Sequence, residues 1–246
     1  MPLLEICCYS LDAALAAQAG GASRIELCAG PGEGGTTPSR SALRLAQERL
    51  SIPVRAMVRP RGGDFLYSDT EFELMRRDIL DIQEAGLEGV VFGLLLADGR
   101  LDYERTARLV ELARPLKVAF HRAFDMCREP EETLEQLIRL GVDTLLSSGQ
   151  RPNAEAGIPL LRQLVVQAAG RIEIMPGCGI NENNLARIRA ETGASAFHSS
   201  ATVWRDSGMT YRNPAVSMGK DSLDKEYLLQ GTSVEKVAGL VKILSC

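Results

Sequence analysis

The sequence contains two histidines, and each lies where an apolar run gives way to a polar string. His121 opens the string HRAFD, and His198 ends the run AFH ahead of two serines. Histidine exchanges its proton near neutral pH, so both residues are candidates for acid or base chemistry. A single such histidine would most often be structural. Two in equivalent positions favour a functional role more strongly, and the sequence leaves both interpretations open.

Arginines occupy the same kind of position. Arg59 and Arg61 occur in the string RPRGGD, and Arg122 follows His121 directly. The guanidinium group is planar and permanently charged, which suits it to bind a carboxylate or a phosphate. The alternative is that these arginines hold the surrounding loops together by pairing with internal carboxylates. The candidate partners are Glu5, Glu26, Asp64 and Asp125.

Two short apolar strings near the beginning of the chain combine carboxylates with cysteines. Side chains alternate along a strand, so Glu5 and Cys7 share one face of the first strand. Arg24, Glu26 and Cys28 share one face of the second strand in the same way. If these faces point inward, two carboxylates are buried, and Arg24 is a partner that would offset their charge.

The same alternation brings the thiols of Cys7 and Cys28 to one side of adjacent strands. Soft thiolates select Cu(I), and because the chain has no CxxC string, two strands must supply such a pair. The spacing therefore predicts a two-thiolate Cu(I) site. The alternative is that both cysteines are small buried apolar residues, which is common for free cysteine.

Glycines and serines after later strands form a candidate anion cradle. Gly177 and Gly179 flank Cys178, and Ser148 and Ser199 also follow apolar runs. Loops after the seventh and eighth strands of a barrel are a common position for phosphate. Tight turns explain the glycines equally well. The string GPGEGG at 30–35 matches a dinucleotide fingerprint only formally, because the next predicted helix starts several residues later.

Eight short apolar runs alternate with amphipathic stretches, which is typical of βα units in a parallel sheet. The pattern predicts an α/β fold, a TIM-type (β/α)8 barrel formed by residues 1–246 as a single domain. The predicted strands are Leu3–Cys8, Arg24–Leu27, Val54–Val58, Gly89–Phe92, Lys117–Phe120, Thr144–Leu146, Ile172–Met175 and Ala196–His198.

Helical spacing between these runs is clearest at Thr70–Ala85, Asp102–Arg114 and Pro130–Leu140. A long turn-rich segment follows at about 199–232, and the helix Val234–Leu244 is expected to close the barrel. In this fold the loops after the strands converge at one open end. We therefore expect the candidate residues to lie together in one cleft.

Composition excludes several classes of function. Hydrophobic residues make up 45% of the 246 residues, which indicates a globular protein with a sizeable core. The formal net charge of −4 gives no reason to expect binding to nucleic acid or to an anionic membrane. No apolar run has the length of a membrane span, and the six scattered cysteines are expected to be free thiols. Together with the absence of a basic signal-like start, these features predict a cytoplasmic protein.

The strings RIELCAGPGEGGTTPS, MVRPRGGDFLYSDTE and FHRAFD resemble the CutC copper homeostasis family. The strings LEICCYS, SSG, MPGCGI, FHSSA and YRNPAVSMG extend the resemblance, in order, along nearly the whole chain. The resemblance implies a (β/α)8 barrel in the cytoplasm, a homo-oligomer (a dimer or a tetramer), and Cu(I) bound through cysteine thiolates. It implies no established reaction.

Carried over residue by residue, the two cysteines of the family match Cys7 and Cys28. The sequence departs from the family at Ala119, where threonine often stands, and at Cys178, in a loop that is commonly glycine or alanine. Cys178 is either an additional thiol near the site or inert. The polar residues that match the family are Arg24, Glu26, Arg59, Arg61, Asp64, His121, Arg122, Asp125 and His198.

Two functions follow as hypotheses. The first is a copper homeostasis protein that binds the copper ion as Cu(I) through Cys7 and Cys28. The second is an enzyme that acts on a small anionic ligand, a carboxylate or phosphate metabolite, by acid/base or metal-assisted chemistry. The candidate acid/base residues of the second are Glu26, His121, Asp125 and His198. Its candidate substrate-binding residues are Arg24, Arg59, Arg61, Asp64, Arg122, Ser148, Gly177, Gly179 and Ser199.

A Schiff-base enzyme is disfavoured. Lys117 is the only lysine before residue 220, and it starts its predicted strand. It therefore lies at the end of the barrel opposite the catalytic loops, where its amine would not reach a substrate.

Overall fold

The computed structural model describes residues 2–216, 218 and 223–245. Cys246 and part of the segment 199–232 lie outside the described residues. Eight parallel strands form one sheet in the order β7-β6-β5-β4-β3-β2-β1-β8, and β7 and β8 lie side by side. The strands are β1 Leu3–Cys8, β2 Arg24–Leu27, β3 Val54–Met57, β4 Gly89–Phe92, β5 Lys117–Phe120, β6 Thr144–Ser147, β7 Glu173–Pro176 and β8 Ala196–Ser199. The predicted TIM-type (β/α)8 fold is confirmed.

The strands are short because each spans only the height of the barrel wall. Their outward side chains, such as Leu4, Ile6 and Cys8 of β1, belong to the main apolar core between the sheet and the helices. The helices of the outer layer are α1 Leu11–Ala19, α2 Arg40–Arg49, α3 Asp69–Ala85, α4 Tyr103–Ala113, α5 Pro130–Leu140, α6 Ile158–Ala168, α7 Leu185–Thr192 and α9 Val234–Ser245.

The predicted turn-rich segment contains regular structure that its sequence did not reveal. Strand β9 (Thr202–Asp206) pairs antiparallel with β10 (Leu228–Thr232), and the short helix α8 (Leu223–Glu226) precedes β10. The pairing joins residues more than twenty positions apart, so local patterns did not indicate it. After β10, helix α9 packs against α1 and α7.

The amino-terminal half of the barrel interior is polar. Arg24 on β2 contacts Glu5 on β1 at 2.5 Å and Glu173 on β7 at 3.3 Å. Thr144 on β6 donates to Glu173 and accepts a hydrogen bond from Arg55 on β3. These charges are tolerated inside the barrel because each has a partner of opposite charge or a hydrogen bond.

The carboxyl-terminal half of the interior carries the thiols of Cys7 and Cys28. Cys7, Cys28, Met57, Val91 and Ala119 form a small apolar cluster there, separate from the main core. The charged layer therefore lies beneath the layer that faces the open end of the barrel. Among the described residues, no helix is both long and apolar enough to cross a membrane.

The N-terminus of α3 sets the course of the loop that follows β3. Ser68 accepts a hydrogen bond from the backbone N–H of Glu71, and the Glu71 carboxylate accepts one from the N–H of Ser68. Such a capping box satisfies two backbone donors that the helix leaves unpaired.

Replacing Ser68 with alanine should therefore lower the free energy of unfolding by about 1 kcal/mol. Urea unfolding followed by circular dichroism measures the change. Ser41→Ala is the matched control, because Ser41 lies exposed within α2, where alanine is the better helix former. A Ser68→Ala protein as stable as the Ser41→Ala protein would contradict the role of the cap.

Candidate metal site and barrel cavity

A cavity of about 770 Å³ opens at the carboxyl ends of the strands. It brings together residues from most of the βα units, as the barrel fold requires. The sequence candidates that line it are Cys7, Glu26, Arg59, His121, Arg122, Gly179, His198 and Ser199. Cys178 lines it as well, and its thiol donates to the carbonyl of Pro152.

Other sequence candidates lie around the cavity without lining it. Arg24 belongs to the charged layer below. Arg61 and Asp64 pair with each other on the exposed loop after β3, and Arg61 also pairs with Glu71. The candidates that do not line the cavity are Arg24, Cys28, Arg61, Asp64, Asp125, Ser148 and Gly177.

The register of three strands explains the contacts around Glu5. Glu5 lies level with Arg24 on β2 and with His198 on β8. Its carboxylate therefore contacts both, and the distance from His198 Nδ1 to Glu5 Oε1 is 2.8 Å. Burial alone would raise the pKa of Glu5, but the contacts with His198 and Arg24 outweigh it and lower this pKa to about 2.

Four donor groups meet at the floor of the cavity, where Cys7, Glu26 and His198 line it and Cys28 lies just beneath them. The sulfur atoms of Cys7 and Cys28 lie 3.9 Å apart, and Cys28 Sγ lies 3.6 Å from Glu26 Oε2. His198 Nε2 lies 3.8 Å from the same carboxylate oxygen. One ligand atom from each of Cys7, Glu26 and His198 lies within 4.8 Å of the other two, so this trio could hold a metal ion.

Burial and mutual contact shift the acidity of these groups in opposite directions. The contact with Cys28 lowers the pKa of the Cys7 thiol well below its usual range, and the nearby His198 adds to this. The pKa of Cys28 is raised by its contact with Cys7 and by burial. Burial and the charge of Cys7 raise the pKa of Glu26. The cluster thus favours one thiolate, and a bound cation would favour more negative charge.

One further observation indicates that these donor groups suit a metal ion. Glu26 Oε1 is buried and has no hydrogen-bond partner among the described residues. A buried oxygen without a partner is costly, and a cation would supply the missing interaction. Sequence reasoning assigned Glu26 and His198 to acid/base chemistry and did not group them with the thiols. The strand register, which places Cys7 level with Glu26, is what unites them.

Tyr9 lines the cavity and was missed by sequence reasoning. It follows Cys7 by two residues, so the alternation that placed Glu5 and Cys7 inside could have pointed to it. Burial, together with the charge of the Cys7 thiolate, raises the pKa of its hydroxyl far above the usual range. Tyr9 therefore stays neutral beside the thiols and can donate a hydrogen bond.

Asp125 is engaged by the protein itself. Its carboxylate accepts hydrogen bonds from the Ser147 hydroxyl, the Ser148 backbone N–H and the Arg122 Nε at 2.6 to 3.0 Å. It thus joins the loop after β5 to the loop after β6. Its predicted catalytic role stays a prediction, and the contacts describe a structural one.

Asp125→Ala should lower the free energy of unfolding by about 3 kcal/mol, because several buried donors lose a charged acceptor. Asp64→Ala is the matched control and should cost less than about 1 kcal/mol, since Asp64 is exposed and its ion pair is screened by water. Chemical denaturation of both proteins measures the difference. Equal losses in the two variants would refute the structural role of Asp125.

His121 gives the protein a distinct response to acid. Burial, with the charges of Arg59 and Arg122, lowers the pKa of His121 to about 3. The unfolded chain has a histidine pKa of about 6.5 and takes up the proton first. Stability contributed by neutral His121 is therefore complete above about pH 6.5 and is lost as the pH falls towards about 3.

We expect His121 to account for a fall in unfolding free energy of up to about 1.4 kcal/mol per pH unit within this range. Urea unfolding at a series of pH values from 7 to 4 measures the slope. His121→Asn should give a shallower slope, because asparagine keeps an acceptor for the Ala123 N–H but cannot take up a proton. Parallel curves for the two proteins would rule out this origin of the acid sensitivity.

Comparison with known proteins places the chain in a family. The CutC family model matches residues 2–203. The mouse copper homeostasis protein cutC homolog is 50% identical over 238 residues, covering 97% of this chain and 88% of that protein. A CutC family protein of Chromobacterium violaceum is 50% identical over 242 residues, covering 98% of each.

Comparison with solved structures supports the same family. The CutC protein of Streptococcus agalactiae superposes with a TM-score of 0.78 at 34% identity, covering 81% of this chain and 99% of that one. Phosphoribosyl anthranilate isomerase of Thermotoga maritima, at 13% identity, has a TM-score of 0.58 over 100% of this chain and 99% of that one, and shares the fold alone. The chain therefore belongs to the CutC family.

Proposed function

We propose that this protein is a copper homeostasis protein that binds Cu(I) at the floor of the barrel cavity through Cys7 and Cys28. The observation that carries the proposal is the 3.9 Å separation of the two sulfur atoms beside the His198 imidazole. The mouse and human relatives are named copper homeostasis proteins, which supports the same role.

The chemistry of the donors favours copper in its reduced state. Thiolates are soft ligands and select Cu(I), and imidazole is also a good copper ligand. His198 offers its Nε2 atom because Nδ1 is held by Glu5. Glu26 offers harder oxygen atoms, so we assign it the balancing of charge and protons around the thiols rather than primary ligation.

A cytoplasmic location and a homo-oligomer, a dimer or a tetramer, belong to the same proposal. The five described cysteines are free thiols, and such thiols persist in a reducing compartment. Oligomerisation is carried over from the resemblance to the family.

The test is competition for Cu(I) against a chromogenic chelator under reducing conditions. Cys7→Ser and Cys28→Ser should each weaken Cu(I) binding by more than about 100-fold, because a direct ligand is lost rather than a supporting contact. Cys127→Ser is the matched control. Cys127 does not line the cavity, and the Gln150 side-chain amide contacts its carbonyl and its sulfur. Its replacement should leave copper affinity unchanged.

Undiminished Cu(I) affinity in the double variant Cys7→Ser/Cys28→Ser would refute the proposal. Tighter binding of Zn²⁺ than of Cu(I) by the wild-type protein would refute the choice of metal, since zinc also accepts sulfur, nitrogen and oxygen ligands. Cys246 lies outside the described part of the chain. We expect Cys246→Ser, like Cys127→Ser, to leave Cu(I) affinity unchanged.

A second candidate function is supported by the size of the cavity. A volume of about 770 Å³ lies in the range of sites for small organic ligands and far exceeds the need of a single ion. We infer as this second candidate an enzyme that acts on a small anionic metabolite. Glu26 and His198 would exchange protons, and a bound metal ion could polarise the substrate.

A further inference from the structure

Arg59 is a buried cation without a buried counterion. Only 5% of the residue is exposed, and its two terminal nitrogens donate to the carbonyls of Glu33, Gly35 and Gly63. No carboxylate of the described residues lies within 4 Å of it. The other buried arginines, Arg24 and Arg55, each pair with a glutamate.

An uncompensated buried charge is expensive, and proteins retain one mainly where it serves a function. The carbonyl contacts orient the guanidinium group but leave its positive charge in place. Arg59 Nε has no hydrogen-bond partner of good geometry among the described residues, and the buried Tyr67 hydroxyl that lies near Arg59 is neutral and does not balance its charge. Because Arg59 lines the cavity, the missing partner can be a ligand with negative charge.

His121 presents a second unused donor to the same part of the cavity. Its Nδ1 accepts a hydrogen bond from the Ala123 N–H at 3.2 Å, so the neutral ring carries its hydrogen on Nε2. That Nε2 is buried and has no partner among the described residues. The low pKa of His121, about 3, keeps the ring neutral at physiological pH.

Phe65 brings the two groups together. The Arg59 guanidinium lies 5.1 Å from the centre of the Phe65 ring, and the His121 ring centre lies 5.0 Å from it. All three side chains line the cavity. Phe65 is half-buried on the loop after β3, and its ring is a neighbour that the two groups share.

We propose that Arg59 and His121 form a binding subsite for a small organic carboxylate, with Arg59 Nε–H and His121 Nε2–H each donating to one carboxylate oxygen. Two single donors and one net positive charge match the two oxygens and single charge of a carboxylate. Phosphate carries more charge and more acceptors than this pair can satisfy.

This proposal rests on the second candidate function and assigns a ligand class, organic carboxylates, to that function. Ligand binding can be measured without enzyme turnover. Its residues are distinct from the thiols of the proposed copper site. Arg122 stands at the rim of the cavity, where Asp125 already balances its charge. Arg122 therefore attracts an approaching anion more than it binds the anion in the subsite.

The test is nuclear magnetic resonance of protein labelled with ¹⁵N in its histidines. The chain has two histidines, so the spectrum contains two imidazole rings, and His198→Asn assigns them. Sodium acetate is the probe, added to metal-free reduced protein at constant ionic strength, with chloride and inorganic phosphate in parallel titrations. We expect His121 to show the Nε2–H tautomer and a saturable shift with acetate that chloride does not produce.

Arg59→Gln should weaken the acetate response at least tenfold, because it removes the charge and the Nε donor. Arg100→Gln, at an exposed arginine paired with Asp98, is the matched control and should leave the response unchanged. Circular dichroism checks that each variant is folded. If Arg59→Gln does not fold, the titration of the wild-type protein still decides the outcome.

Absence of a saturable acetate shift at His121 would overturn the subsite, as would equal affinity in a folded Arg59→Gln protein. Tighter binding of phosphate than of acetate at His121 would overturn the carboxylate assignment. The Cys7→Ser/Cys28→Ser protein should keep the acetate response, so a failure of copper binding and a failure of the subsite are distinguishable. Saturable acetate binding would support the subsite alone, because the titration contains no substrate and does not test the enzyme.

Discussion

The buried carboxylate of Glu5 is the contact on which the barrel interior depends. It lies level with Arg24 on β2 and with His198 on β8, and it contacts both. An isolated carboxylate in this position would carry a desolvation penalty of several kcal/mol. Its partners convert that penalty into a link across three strands, at the seam where the last strand of the barrel meets the first.

The same contact orients the His198 ring among the donor groups above it. Because Glu5 holds Nδ1 of His198, the other ring nitrogen faces Glu26 and the thiol of Cys7. Histidines that bind metals usually have such a carboxylate or carbonyl partner, which fixes the ring and raises its basicity. The charged layer at the bottom of the barrel thus determines the orientation of the metal-binding candidates at its mouth.

The cavity has two chemically different sides. The side formed by β1, β2 and β8 carries sulfur atoms and a carboxylate, whereas the side formed by the loops after β3 and β5 carries Arg59 and a neutral histidine. One side suits a soft cation and the other suits an anion. Both sides are held by contacts between neighbouring βα units, which is why neither could be recognised within a single segment of the sequence.

Periodicity and capping residues are local properties, so the amino-acid sequence was enough to predict the barrel and to place each strand end to within one residue. Alternation also placed Cys7 and Cys28 on one face. Which polar residues have a partner of opposite charge became clear only in the folded protein. Asp125 accepts from Ser147 of the neighbouring unit and pairs with Arg122, while Arg59 has no carboxylate partner among the described residues. Ion pairs, ribbon pairing and burial depend on contacts between distant segments, which spacing along the chain does not encode.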